Sequence, residues 1–536
     1  MISARRFIHF RVQRDAALGR LCAAVLLLVC MSVPVVQAQD APTMALQPTN
    51  GTASNFIQVL AAQGDSLWTG PNLALTTDGG ATFREVTEPA LQDEDNVLFA
   101  LAVRTDLPAS SLVAAGLAFD ASGRTAAGGF LVSRDGGSSF RFEPPALDAP
   151  QDTTITYGVS TLSARAVVQE TGSAPQDLAA SVTGDTLWLA SADAGIRQST
   201  DDGASWTRVV LPPDDLDAID PATAYDFRLA AARNGSGSFN HIGSSVLVDA
   251  TGTVWAGTVG GLNRSTPADL GPQGDRAWQR FEHTGRPDGL TGNNVVRIAE
   301  QARTGARNAL WMATWPVNLA ASDRQRFGVT VTRDGGATFE QTLIDERIFD
   351  LAFDEDRVYA AGDNGLFVSD NDGSSWTAIR RFALRSDRQF HRPDAGVRAV
   401  ATTADAVWAG TTDGLLRSTD GGATWQLFRA NVPLRPSVPD ARAVDTYAYP
   451  NPFTPSRDRV VRIRYERESA GATRIRILDF EMRHVRTLRA ESDGPGEQEI
   501  AWDGTDSGGL RLPNGTYFYE VETDQGPARG KILLID

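Results

Sequence analysis

From about residue 52 to residue 430 the chain is a succession of short apolar stretches divided by turns rich in glycine and aspartate. The pattern is clearest near its end. Ala406-Val407-Trp408-Ala409-Gly410 and Gly414-Leu415-Leu416-Arg417 read as two strands, and Ser418-Thr419-Asp420-Gly421-Gly422-Ala423-Thr424-Trp425 follows as a turn that opens a third. The form S/T-x-D-x-G-x-S/T-W/F recurs at Thr76–Phe83, Ser133–Phe140, Ser199–Trp206, Thr332–Phe339 and Ser369–Trp376, with Asn371 replacing the aspartate in the last of these. A further copy keeps Leu262-Asn263-Arg264-Ser265 and Trp278, but an insertion has replaced its turn. Ahead of the turns lie inner stretches such as Phe56-Ile57-Gln58-Val59-Leu60, Val295-Val296-Arg297-Ile298 and Val397-Arg398-Ala399-Val400. Between these and the turns stand runs such as Leu67-Trp68-Thr69-Gly70 and Val254-Trp255-Ala256-Gly257.

Four short strands per repeat make a propeller blade rather than a sandwich or a solenoid. Seven repeats fit between 52 and 430, so the predicted fold class is all-β, a seven-bladed β-propeller. In each turn the carboxylate can accept backbone N–H groups across the hairpin, glycine takes the positive-φ position, and the Trp or Phe packs between sheets. Asp78, Asp135, Asp201, Asp334, Asn371 and Asp420 are therefore expected to hold the scaffold, not to catalyse or to bind metal. Asp370-Asn371-Asp372-Gly373 looks like a calcium loop only superficially, because no bidentate glutamate follows at the right distance.

Alternation returns after Pro433, Pro436 and Pro439, which mark a stiff linker. Val461, Ile463 and Tyr465, then Ile475 and Ile477, then Tyr517, Tyr519 and Val521 predict strands of a small β-sandwich. The predicted layout is a signal peptide over 1–38, an N-terminal segment over 39–51, the propeller over 52–430, the linker over 431–446 and an Ig-like domain over 447–536. The signal reading rests on a basic leader (Arg5, Arg6, Arg11, Arg14, Arg20), the apolar run Leu21–Val29 and the cleavage-type Val36-Gln37-Ala38. No segment reaches the ~18 apolar residues that a membrane-spanning helix needs. Cys22 and Cys30 both fall within the signal, so the mature chain is expected to lack thiols and disulfides. A formal charge of −16 over 536 residues argues against nucleic-acid binding, which needs a basic surface.

The repeated turn resembles the Asp-box, or BNR-type, propeller superfamily, which includes sialidases, xyloglucanases, sortilin-type receptors and photosystem assembly factors. Leu290-Thr291-Gly292-Asn293-Asn294-Val295-Val296 also looks like the sensor propellers of two-component regulators. At the C-terminus, Tyr449-Pro450-Asn451-Pro452-Phe453, Trp502-Asp503-Gly504-Thr505-Asp506 and Asn514-Gly515-Thr516-Tyr517 resemble the Ig-like domain of flagellar hook-capping proteins and the sorting domains of type IX secretion cargo. That resemblance implies a partner in secretion machinery, although the closing Lys531-Ile532-Leu533-Leu534-Ile535-Asp536 lacks the basic last residue usual in sorting signals.

Catalytic chemistry is hard to find. His241, His283, His391 and His484 are the mature chain's histidines, and none is near another in sequence. Tyr157, Tyr225 and Tyr359 are the propeller's tyrosines, and Phe227-Arg228-Leu229-Ala230 lacks the proline of a sialidase segment. No catalytic residue, metal site or cofactor is assigned. Long connections at Phe119–Gly129, Thr207–Asn240, Trp315–Phe327 and Thr377–Asp394 are expected on the face opposite the repeated turns, where a propeller presents its specificity. Trp315 follows Trp311 by four residues and is not needed for packing between blades. Arg380, Arg381, Arg385, Arg388 and Arg392 form a basic cluster in an acidic chain and suit carboxylated or sulfated ligands. These six are the candidate ligand-binding residues. The function expected is an exported, secreted or cell-surface propeller, non-enzymatic, binding an extracellular glycan or protein. A secreted glycoside hydrolase and an envelope-complex assembly factor are the competing readings.

Overall fold

The computed structural model describes residues 47–49, 56–429 and 446–535, except 93–95, 105–106, 108–109, 234–235, 272–273, 318–323, 386–390, 392–394, 459, 493–494 and 524–525. The predicted signal peptide, with Cys22 and Cys30, and nearly all of the predicted linker lie outside the described residues. Seven antiparallel sheets of four or five strands follow one another along the described chain, each with four strands in sequence order. Their inner strands are Leu60–Gln63, Val97–Arg104, Pro175–Ala180, Gly243–Val248, Asn294–Gln301, Ile348–Asp354 and Val397–Thr403. Each touches the next, and the seventh touches the first, so the row of sheets closes into a ring. The Ile57 N–H donates to the Thr411 carbonyl at 2.9 Å across that closure. Two outer strands are additions: Gln47–Thr49 pairs with Phe83–Glu85, and Ala218–Ile219 pairs with Trp278–Phe281. The chain is thus an all-β protein, a β-propeller followed by an Ig-like sandwich.

The sheets interlock through tryptophans. Trp68, Trp255, Trp311 and Trp408 are buried on the second strands, and each indole lies against a glycine of the following sheet's turn (Gly137, Gly336, Gly373 and Gly80). Gly137 has φ +89°, and a Cβ there would stand 2.3 Å from the Trp68 ring, so only glycine fits. The fourth sheet has lost its turn, and there the Arg276 guanidinium covers Trp188 instead, 5.5 Å from the ring centroid.

Two of the expected long connections have more structure than their composition suggested. Phe119–Gly129 lies mostly within the strands Leu112–Asp120 and Thr125–Ser133, which stay paired down to Asp120 and Thr125. Within Thr207–Asn240, Arg228–Leu229 pairs in parallel with Ser160–Ala164, forming a small sheet with Thr154–Tyr157. Tyr157, Leu162 and Leu229 of this sheet share a core with Trp188 and Trp278.

The C-terminal module has a three-stranded sheet (Thr446–Tyr449, Val461–Arg467, Gly496–Trp502) facing a four-stranded one (His484–Ser492, Gly471–Leu478, Gly515–Thr523, Gly526–Leu534). Phe453, Ile463, Ile475, Trp502, Tyr519 and Ile532 fill the space between them.

Candidate functional site

The inner strands share one irregularity. Six carry a register shift at the equivalent place: Leu98/Ala100, Pro175/Asp177, Gly243/Ser245, Val295/Arg297, Ile348/Asp350 and Val397/Ala399. A bulge leaves one residue unpaired and re-aims its side chain. Five of the skipped residues, Phe99, Gln176, Val296, Phe349 and Arg398, line a funnel of about 120 Å³ where the inner strands begin. One step further along, Asp177 and Arg297 line both this funnel and a chamber of about 570 Å³, and with Asp350 on the funnel side they make a throat.

The throat is held by charge. Arg297 lies 3.3 Å from Asp177 and 2.8 Å from Asp350. Each carboxylate also accepts two backbone N–H groups, one from its own strand and one from the next sheet: Leu178 and Val246 for Asp177, Leu351 and Val400 for Asp350. Burial pushes both carboxyls up while Arg297 opposes that shift, and the two carboxylates, Asp350 foremost, raise the guanidinium's own pKa. A glycosidase pair needs one carboxyl free to protonate a leaving group and another free to attack or to activate water. Both here are engaged on both oxygens.

Around the funnel's rim runs a ladder of alternating aromatic and cationic groups. Trp315 ends the second strand of the fifth sheet and pairs with Asn294, at the start of an inner strand. Its indole N–H donates to the Ile348 carbonyl at 2.8 Å. Arg347 lies 4.2 Å from the centroid of the Trp315 ring and 5.2 Å from that of Phe349, and Arg398 lies 4.2 Å from the Phe349 centroid. Asp363 takes Arg347 on one oxygen (3.5 Å) and Arg398 on the other (3.2 Å). Two guanidiniums thus share one carboxylate, and their side chains remain 44% and 30% exposed.

Of the proposed arginine cluster, Arg385 is engaged at a turn of the seventh sheet and not at this rim. Arg385 donates to Thr419 and Thr424 of the turn in the seventh sheet, at 2.7 and 3.0 Å, and stands 3.9 Å from Asp420. Arg380 and Arg381 are exposed just beyond the strand Thr377–Ile379, and Arg388 and Arg392 lie outside the described residues. Arg347, Phe349 and Arg398 were missed, although an arginine inside an apolar inner stretch such as Val397-Arg398-Ala399-Val400 was a usable signal.

The six turns have one geometry. The first hydroxyl accepts the glycine N–H at 2.8–2.9 Å. Asp78, Asp135, Asp201, Asp334 and Asp420 each accept the N–H of the residue four further on at 2.9 Å and its hydroxyl at 2.5–2.6 Å. Asn371 accepts the Ser375 N–H in the same way, but its amide donates to the Ser375 hydroxyl at 2.8 Å. Hydrogen bonds from Ser205 hold the exposed Asp201 carboxyl down to about 2; those from Thr338 and Thr332 outweigh desolvation and do the same for Asp334. Among the described residues no three His, Asp or Glu side chains are grouped to hold a metal ion.

Fold and rim together define a β-propeller with an Ig-like module, and comparisons with known proteins can be set beside that. The FlgD Ig-like domain family matches residues 458–526. No curated protein matches the chain. Among solved structures, PorZ, described as an essential bacterial surface component of the type-IX secretion system of Porphyromonas gingivalis, is 12% identical over 90% of this chain and 87% of its own, with a TM-score of 0.35. YCF48 bound to D1 peptide is 15% identical over 71% of this chain and 99% of its own (TM-score 0.41). The extracellular domain of the putative hybrid two component system BT4673 from B. thetaiotaomicron is 11% identical over 90% and 74% (TM-score 0.34). The architecture described above rests on sheet order and ring closure, not on these likenesses.

Proposed function

We propose that this chain is an exported, seven-bladed Asp-box propeller that binds a carboxylated or sulfated extracellular glycan without catalysis. The binding site in this reading is the funnel rim, with Arg347 and Arg398 as the ligand contacts and Trp315 and Phe349 as the platform that aims them. The observation that carries the reading is the ladder itself. Stacking on aromatic rings pre-sets both guanidiniums, so little side-chain entropy remains to be lost on binding, and a planar fork matches carboxylate or sulfate oxygens. Trp315 spends its N–H on Ile348 and one ring face on Arg347, which favours a positioning role for it over stacking on a sugar. Arg385 is assigned no ligand contact, because it is engaged by the turn in the seventh sheet. The Ig-like module is assigned to secretion or surface attachment, on its motifs and its family match.

Hydrolysis is the second reading, and its best observation is the pair Asp177 and Asp350 with carboxyls raised by burial. Their engaged oxygens count against it. A screen against sialylated, uronate-containing and sulfated glycans, beside their neutral parents, tests the proposal. R347A and R398A should each weaken binding about tenfold, the worth of one charge-assisted hydrogen bond, with unchanged melting. Equal binding of neutral glycans, or release of reducing sugar, would overturn it.

A further inference from the structure

Met44–Asp536 form one compact unit, and within it the seventh sheet meets the sandwich through charges that are almost fully buried. On the ring side, Asp413 lies between the strands Ala406–Thr411 and Gly414–Ser418, and Arg429 follows the strand Gln426–Phe428. Arg429 donates to both the Asp413 carbonyl (3.0 Å) and its carboxylate (2.8 Å). On the sandwich side, Arg462 lies 3.1 Å from Glu499, and Tyr449 donates its hydroxyl to Glu499 at 2.5 Å. Each side therefore carries its own ion pair. Across the boundary, Arg462 donates to both oxygens of Asp413 at 2.6 and 2.8 Å, and Arg429 donates to Glu499 at 2.8 Å. The side chains of Asp413, Arg462, Arg429 and Glu499 are 2%, 3%, 7% and 10% exposed.

Alternation explains why the sandwich offers such a face. Val461, Ile463 and Tyr465 point into its core, so Arg462 and Arg464 must point the other way. Tyr447 and Tyr449 on one neighbouring strand and Glu497 and Glu499 on the other join the same outer face. Left in water, this would be an ordinary charged surface. It is instead covered, and its charges are matched in sign and geometry by Asp413 and Arg429. Burying a lone charge is costly, but two ion pairs that exist before contact bring their compensation with them. Contact then adds charge-assisted hydrogen bonds in one register, and such cross-boundary pairs couple strongly. Burial pushes the Tyr449 phenol up, so it remains a donor to Glu499.

We infer that the seventh sheet and the sandwich recognise each other as two preformed partners, and that the sandwich stays bound to the ring when the chain between them is cut. Covalent continuity through 430–445 is not what holds it. In this arrangement a proteolytic cut in that segment leaves a two-piece complex and does not release the C-terminal domain.

The test uses the full chain with one protease site introduced between residues 430 and 445, folded first and cleaved afterwards. Size-exclusion chromatography in physiological salt should show both pieces eluting together. Asp413→Ala, which removes the ring-side carboxylate, should raise the dissociation constant of the cleaved pieces at least about tenfold. If that variant does not fold uncleaved, Glu499→Gln on the sandwich side is read in the same way. Prompt separation of the cleaved parent, or retention by the charge-removed variant as firm as the parent's, would overturn the inference.

Discussion

Replacing Asp420 by alanine removes the acceptor for three hydrogen bonds at once: the Ser418 hydroxyl at 2.6 Å, the Thr424 N–H at 2.9 Å and the Thr424 hydroxyl at 2.5 Å. Water can reach these groups, so each bond counts near the lower end of the usual range, and the loss should total about 1–3 kcal/mol. Asparagine should be far milder. Asn371 occupies the same place in the sixth sheet, accepting the Ser369 hydroxyl at 3.0 Å and the Ser375 N–H at 2.9 Å while donating to the Ser375 hydroxyl. D420N should therefore cost less than about 1 kcal/mol at neutral pH. The pH dependence has a definite sign. The turn's hydrogen bonds, that from the Ser418 hydroxyl foremost, hold the Asp420 carboxyl well below its ordinary value. A carboxylate with a depressed folded pKa stabilises fully above its unfolded pKa and loses that contribution as pH falls through the folded value. The deficit of D420N against the parent should therefore narrow as pH falls below 3.8, the ordinary value of an aspartate. Urea unfolding followed by tryptophan fluorescence across that pH range measures it. A D420N deficit as large as that of D420A, or one that widens on acidification, would refute the account of the turn.

Two further outcomes are expected. Gly137→Ala should destabilise by at least about 2 kcal/mol through overpacking and backbone strain, whereas Gly64→Ala, also at positive φ but with no atom within 4 Å of its Cβ, should cost clearly less in the same urea assay. On the proposal of export, N-terminal sequencing of the mature protein should begin at Gln39, after the Ala38 cleavage position; a lipid-modified residue at Cys30 would contradict that reading.

What could be read from the chain depended on how far apart the interacting groups lie. The turn spelled itself out because all its hydrogen bonds close within eight residues, and its repetition marked the sheets. The same holds for the sandwich core, where Val461, Ile463 and Tyr465 alternate as core positions must. The rim was not legible. Val295-Val296-Arg297-Ile298 and Val397-Arg398-Ala399-Val400 read as inner strands, but the bulges that leave Val296 and Arg398 unpaired do not show in the alternation, and the arginine within each apolar stretch was the one available sign. Arg385 reads as part of a ligand-binding cluster because its partner Thr424 lies 39 residues away, and Asp413 lies 49 from Arg462. Clusters of like residues in one segment suggested a site. The structure instead assembles its rim from arginines contributed by two different sheets.

The central claim is that ligand is met at the funnel where the inner strands begin. Hydrogen-exchange footprinting of the protein, with and without a bound acidic glycan from the screen, tests it most directly. The account predicts slowed exchange confined to 345–350, 361–365 and 396–400, which carry Arg347, Phe349, Asp363 and Arg398. Protection at the turns around Asp78, Asp201 and Asp420, with none at those three segments, would contradict it.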